Sequence, residues 1–249
     1  MRFFYLILAF SMLAAGTFTL SAKAADALNK SEVETIIKEY LLENPEVLIE
    51  SLENFRTQQE RDQQANAKKS IEKHIEYLTS ADAPSVGPAD ADVVVVEFFD
   101  YNCGYCRRAV PDIQKLIKED TNVRFVFREM PILSPNSRDV ARWSIAAHKQ
   151  DKYFEFHAAL MEKRGNRSPA VMKEMAEELG LDADKLEKDA NSAAVKKMLE
   201  KDVEVARAIG IRGTPAFIIG GDLYPGYLGE DGLRQTIENA RKNSDKKDG

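Results

Sequence analysis

Apolar positions divide the chain into stretches of different period. Val33, Ile36, Ile37, Tyr40 and Leu41 mark one face of a helix, and Val47, Leu48, Leu52 and Phe55 continue the pattern after Asn44-Pro45, a helix cap followed by proline at the first helical position. Residues 56–70 are almost wholly polar, and Ile71, Ile75 and Leu78 then resume the stripe. The middle of this arm has too little apolar surface to fold as a compact unit, while both ends carry stripes that need partners. Two arrangements satisfy them: an oligomerisation stalk with a flexible polar middle, or a pair of helices folded back on the main domain. Residues 81–91, rich in Pro, Gly, Ala and Asp, read as a linker, so residues 25–80 form an N-terminal helical arm.

A second domain spans residues 92–243. The run Val93–Phe99 has the length and β-branched content of a buried strand, and residues 107–118 read as a helix with Val110, Ile113, Leu116 and Ile117 on its apolar side. A strand over residues 123–127 closes a βαβ unit with a parallel pair. Residues 135–209 contain no strand-like run and predict four or five helices, broken near Asp151, at 166–169, at 180–184 and near Asn191. Strand character returns at 216–219, turns at Gly220-Gly221-Asp222, continues through Leu223-Tyr224, and gives way to a last helix over about 230–242. A βαβ half and a ββα half thus flank a helical insert.

The start of the chain changes the setting. Arg2, an apolar stretch over residues 3–16 and the small-residue exit Ala22-Lys23-Ala24 have the three parts of a secretory signal peptide, residues 1–24. The apolar stretch is short for a bilayer span, which weighs against an uncleaved anchor. No cysteine follows it to carry a lipid, so a soluble exported protein in an oxidising compartment, the periplasm, is expected. The formal net charge is −6, and the leader contributes only the basic Arg2 and Lys23, so the remainder is more acidic still. An acidic protein has no electrostatic reason to seek nucleic acid.

Chemistry concentrates in one place. The chain has 2 cysteines, and they stand together as Cys103-Gly104-Tyr105-Cys106 between the first strand and its helix. At a helix start, backbone N–H groups and the positive end of the helix dipole favour thiolate over thiol. Cys103 is therefore the expected acidic, exposed attacker and Cys106 the shielded resolving thiol. A structural disulfide across so short a loop would restrict the unfolded chain little. Zinc needs two more ligands, and neither the histidines nor the carboxylates fall at matching spacing. Haem attachment wants His after the second cysteine, where Arg107 stands.

Two further features bear on the pair. Glu97 interrupts an apolar strand, where a carboxylate is costly unless it works or finds a partner. Pointing beneath the helix, it would take and return the Cys106 proton; facing outward, it would make a routine contact. Thr214-Pro215 enters a strand, where proline's missing N–H is tolerable and a cis bond plausible, with the preceding backbone free to pair with an extended substrate.

Glu97-Phe98-Phe99 ahead of the Cys pair, Gly213-Thr214-Pro215-Ala216-Phe217 downstream and the helical stretch between them resemble the DsbA-like branch of the thioredoxin superfamily over roughly residues 93–242. The resemblance implies an α/β thioredoxin fold with an inserted helical domain, preceded here by the α-helical arm. It implies Cys103 as nucleophile, Cys106 as resolving thiol, Glu97 as buried acid, Pro215 as cis-proline, and Gly104, Tyr105, Thr214 and Pro215 as the surface that meets substrate. No metal and no cofactor is called for.

The departures are informative. The oxidase DsbA carries Pro-His between its cysteines and Val before its cis-proline, where this chain has Gly104-Tyr105 and Thr214, choices like those of the isomerase DsbC. Losing that histidine makes a thiolate less favoured and the protein a weaker oxidant. The arm is similar to that of the suppressor-of-copper-sensitivity ScsC proteins and of the Com1-like surface or periplasmic proteins, where such arms build oligomers. The expected function is disulfide exchange with cysteine-containing exported proteins as isomerase or reductase, in a homo-oligomer. The alternatives are a dithiol oxidase recharged by a membrane redox partner protein, and a non-catalytic surface or chaperone protein.

Overall fold

The computed structural model describes residues 29–245, so the expected signal peptide lies outside the described residues. The chain divides into a unit ending at Asn54 and a second beginning at Phe55.

In the first unit, helix α1 (Lys30–Glu43) starts at a capping box in which Asn29 and Glu32 each accept the other's backbone N–H. It stops at Asn44, whose backbone and side-chain N–H groups both donate to the Tyr40 carbonyl. Helix α2 (Pro45–Leu78) then opens on proline, as the Asn-Pro pair predicts. No residue of α1 is buried, and Ile36, Ile37, Tyr40, Leu48 and Leu52 are all exposed.

In the second unit, residues 56–70 are helical throughout rather than a flexible break, because Gln, Glu, Lys, Arg and Ala are strong helix formers whatever their polarity. Ala67, Ile71 and Leu78 lie along one helical face, and all three are buried. They pack with Val96, Phe98 and Val126 of the sheet and with Val205, Ala206 and Ile209. The end of α2 is also held by polar bonds. Tyr77 Oη donates to Asp202 at 2.6 Å, and the Arg128 guanidinium lies 4.1 Å over the Tyr77 ring and pairs with the same Asp202 at 3.3 Å. Arg128 and Asp202 are both fully buried, so removing either one strands the other's charge, at a cost of about 3–5 kcal/mol.

The sheet has the order β1-β3-β2-β4-β5, from β1 (Ser85–Val86), β2 (Val93–Phe99), β3 (Val123–Glu129), β4 (Ala216–Ile219) and β5 (Asp222–Pro225). Strands β2 and β3 are parallel and the other pairs antiparallel. Strand β1 falls inside the segment read as linker, since two residues carry no readable period. Gly87 follows it at φ 106°, and a Cβ there would lie 2.2 Å from the Val123 carbonyl oxygen, so only glycine fits.

Alternation along β2 divides the core. Val96 and Phe98 face α2 and α8 (Ala193–Ile209), while Val95 and Phe99 face α3 (Gly104–Glu119), α9 (Gly229–Asp245) and the helical insert. Five α-helices lie between β3 and β4: α4 (Ser137–Ala147), α5 (Tyr153–Glu162), α6 (Pro169–Glu178), α7 (Ala183–Ala190) and α8. Their boundaries have local causes. Ser168, Asp182 and Ser192 each accept an N-cap bond, Asp151 takes φ 56° after a short 3-10 turn, and Gly210 ends α8 at φ 89°.

Candidate active site

Cys103 is the N-cap of α3, with extended backbone and a sulfur that accepts the Cys106 backbone N–H at 3.2 Å. Its own N–H donates to the Asp100 carbonyl at 2.9 Å. The two thiols are free, and Cys103 is 5% exposed against 0% for Cys106. Cys103 is thus less open than its placement at a helix start predicts, because the Thr214-Pro215 turn folds against it. The thiol donates to the Thr214 carbonyl at 3.2 Å, so that carbonyl faces the sulfur rather than free space.

The electrostatics separate the two sulfurs. A hydrogen bond from the Cys106 side chain, aided by the Thr214 hydroxyl and the backbone N–H groups of Cys106 and Tyr105, lowers the Cys103 pKa to about 6 against the opposing effect of burial. The Thr214 hydroxyl is buried without a hydrogen-bond partner, which leaves it available to a thiolate. Burial pushes Cys106 far upward, reinforced by its bond to Cys103 and by the charge of Glu97.

Glu97 shares the sheet face of Val95 and Phe99, beneath α3, pairing in register with Phe127 and with Phe217. It is 2% exposed, and its Oε1 has no hydrogen-bond partner. Burial, then the charge of Cys103, raises its pKa well above the usual carboxylate range. The Thr214–Pro215 peptide is cis, and the Pro215 carbonyl accepts the Gly226 N–H at 2.9 Å.

Between the cysteines, Gly104 is not sterically required, since a Cβ there would meet nothing within 4 Å. Tyr105 stands out at 57% exposed, stacked on Tyr227 with centroids 6.1 Å apart. All seven residues singled out in the sequence therefore meet around one helix start.

Sequence patterning gives little sign of the frame that holds them. Asp100, 1% exposed, accepts from the N–H groups of Asn102, Ile132 and Leu133 and from the Ser137 hydroxyl, all within 2.8 Å. Arg167 donates to the Asn102 side chain at 3.0 Å and to the Tyr101 carbonyl at 2.9 Å. These bonds tie the loop before Cys103 to the insert and display Ile132 and Leu133, both exposed, on the neighbouring loop. A second buried acid, Glu129, ends β3 with neither oxygen partnered, and burial raises it well above its ordinary value. Alternation along 123–129 puts it on the core face, the signal that would have found it.

A family model, the DSBA-like thioredoxin domain, matches residues 94–238. The chain belongs to that family. A second model, the copper resistance protein ScsC N-terminal domain, matches residues 29–61. Among solved structures, a thioredoxin-like oxidoreductase from Silicibacter pomeroyi is 40% identical, with 67% of this chain and 97% of that one covered and a TM-score of 0.63. Salmonella enterica BcfH is 29% identical over 85% of this chain and 95% of that one, with a TM-score of 0.73. Proteus mirabilis ScsC is 27% identical over 87% and 100%, with a TM-score of 0.65. A Salinispora arenicola Na+/H+ antiporter, NhaA, is 31% identical over 62% of this chain, and this chain spans only 24% of that protein's length. Disulfide bond formation protein D of Bacillus subtilis is 26% identical over 64% of this chain and 77% of its own.

Proposed function

We propose that the chain is an exported thiol–disulfide oxidoreductase that exchanges disulfides with cysteine-containing exported proteins, chiefly as isomerase or reductase. The observation that carries this reading is the contrast between the two sulfurs, Cys103 lowered to about 6 at a helix N-cap and Cys106 buried and raised behind it. At pH 7 such a Cys103 is mainly thiolate.

The thiolate attacks one sulfur of a client disulfide. An S–S bond forms to Cys103, and the electron pair of the broken client bond leaves on the other client sulfur. In isomerisation a different thiolate of the client attacks the client sulfur of the mixed disulfide, forming a new client disulfide and returning Cys103 reduced. In net reduction, Cys106 gives its proton to the Glu97 carboxylate and its sulfur attacks Cys103. The client leaves as thiolate, and the cysteine pair is oxidised by two electrons. Glu97 suits the task because burial gives it a high proton affinity close to Cys106.

Assembly belongs to the same reading. Exposed Ile36, Ile37, Tyr40, Leu48 and Leu52, in a segment matched by the ScsC N-terminal model, support a homo-oligomer. Joined Cys103 sites rebind a misfolded client at high effective concentration, which favours isomerisation. Export to the periplasm rests on the leader-like residues 1–24. Among the described residues, no helix is long and apolar enough to cross a membrane. Exchange with a membrane redox partner would reset the cysteine pair.

Rapid acid quenching and thiol labelling of cells tests the direction of flow. A pair found mainly reduced supports isomerase or reductase action; a pair found mainly oxidised assigns the chain to the dithiol oxidases instead.

A further inference from the structure

The face of α3 beside the nucleophile carries a prearranged aromatic clamp that the redox chemistry does not need. Tyr105, Arg108 and Asp112 succeed one another along that face at helical spacing. The Arg108 guanidinium lies 5.3 Å from the Tyr105 ring centroid, and Tyr227, from the loop before α9, stacks on Tyr105 at 6.1 Å with an interplanar angle of 30°. Tyr227 is itself fixed, because its hydroxyl donates to Asp112 at 2.6 Å. Arg108 and Tyr227, the latter bonded to Asp112, thus flank Tyr105 from two segments, yet it remains 57% exposed and Tyr227 36% exposed.

An exposed tyrosine without a partner samples several rotamers and loses that freedom on binding. One already held loses little, so its contacts convert more fully into affinity. Position fixes what reaches it. Tyr105 lies two residues from Cys103, and its backbone N–H is among the groups that lower the Cys103 thiol. The part of a client that meets the clamp is therefore the residue flanking its reacting cysteine. Arg108 forms no ion pair among the described residues, so an acidic group on the client side meets a cation there.

We infer that Tyr105, Tyr227 and Arg108 form a specificity site that selects client disulfides by an aromatic residue next to the reacting cysteine, with an acidic neighbour favoured over a basic one. This deepens the oxidoreductase reading and rests on it. Tyr227 is the new member, supplied from outside the cysteine motif, and Asp112 is its positioning residue.

The test uses the full chain and a set of short peptides carrying one mixed disulfide to a common small thiol, with Phe, Tyr or Ala beside the cysteine and Asp or Lys one position further. Aromatic pairing contributes enough to predict a kcat/KM about two- to tenfold higher for Phe or Tyr than for Ala. The Asp series is expected to exceed the Lys series, with that gap shrinking as salt is raised. In Tyr227→Ala the aromatic preference falls to about one, and Tyr227→Phe, which keeps the ring and loses only the bond to Asp112, retains most of it. Equal kcat/KM for Phe, Tyr and Ala peptides in the unmodified protein overturns the inference while leaving disulfide exchange standing. A preference that persists undiminished in Tyr227→Ala overturns it as well. Absence of exchange with every peptide overturns the oxidoreductase reading itself, so the two failures are distinguishable without relying on any variant that misfolds.

Discussion

The Cys103 sulfur accepts the backbone N–H of Cys106 at 3.2 Å, so the turn that carries the second cysteine also solvates the first. The Cys106 side chain adds the largest single effect that lowers Cys103. On the proposed roles, the resolving thiol would thus also help to activate the attacking one.

Cys106→Ala is expected to have two separable consequences. Mixed disulfides with clients accumulate through Cys103, because nothing resolves them. The Cys103 titration midpoint, read from the pH dependence of alkylation rate, rises above about 6 because the side-chain hydrogen bond is gone. A midpoint unchanged from the parent protein would show that backbone N–H groups alone set the acidity.

The same lowered thiol links stability to pH. A group held below its unfolded value contributes stability that is full above about 8.5, the unfolded cysteine range, and lost as pH falls through about 6. The reduced protein should therefore gain stability over Cys103→Ser as pH rises across that window, measured by denaturant unfolding at each pH. A constant difference between the two proteins over the window contradicts a thiolate-stabilising site.

Glu97→Gln removes the proposed proton acceptor at nearly constant size. Release of clients from mixed disulfides should slow on the order of a hundredfold, the low end of general acid–base effects. Stability should move the other way. A buried carboxyl whose pKa is raised costs stability increasingly as pH rises above its unfolded value of about 4.3, so the advantage of Gln over Glu grows toward alkaline pH. Stopped-flow measurement of release across pH decides the first point, and release unchanged at every pH returns Glu97 to a packing role.

Truncation of the arm should depend sharply on where it ends. Removing residues 29–54 takes away exposed side chains and leaves dithiol exchange intact, while recovery of scrambled clients falls. Removing residues 29–78 also deletes Ile71 and Leu78, each 0% exposed in the core under the sheet. Large buried side chains are worth about 2–5 kcal/mol each, so the longer deletion is expected to unfold or aggregate. Thermal unfolding and light scattering on the two truncations check this; equal stability of both would mean that the α2 end is dispensable.

The contrast between those truncations marks what the sequence reveals. Strand β2, the Cys-bearing helix and the helical insert are legible because each follows from a local period, and Glu97 is conspicuous as a residue costly without a role, although its face is left open by the sequence. The fate of α2 is not, because the spacing of Ala67, Ile71 and Leu78 suits a partner subunit as well as a sheet, and only tertiary packing chooses. Asp100 escapes for a related reason. An aspartate at a strand end reads as a turn residue, and its donors Ile132, Leu133 and Ser137 lie more than thirty positions away.

The most direct measurement is the recovery of a scrambled multi-disulfide protein in a glutathione buffer, with the intact chain present at catalytic concentration. Recovery should be clearly faster than in buffer alone and should fall to the buffer rate with Cys103→Ser. Recovery at the buffer rate with the unmodified chain, under conditions where alkylation still detects an acidic Cys103, would contradict the claim that this thiolate serves disulfide isomerisation.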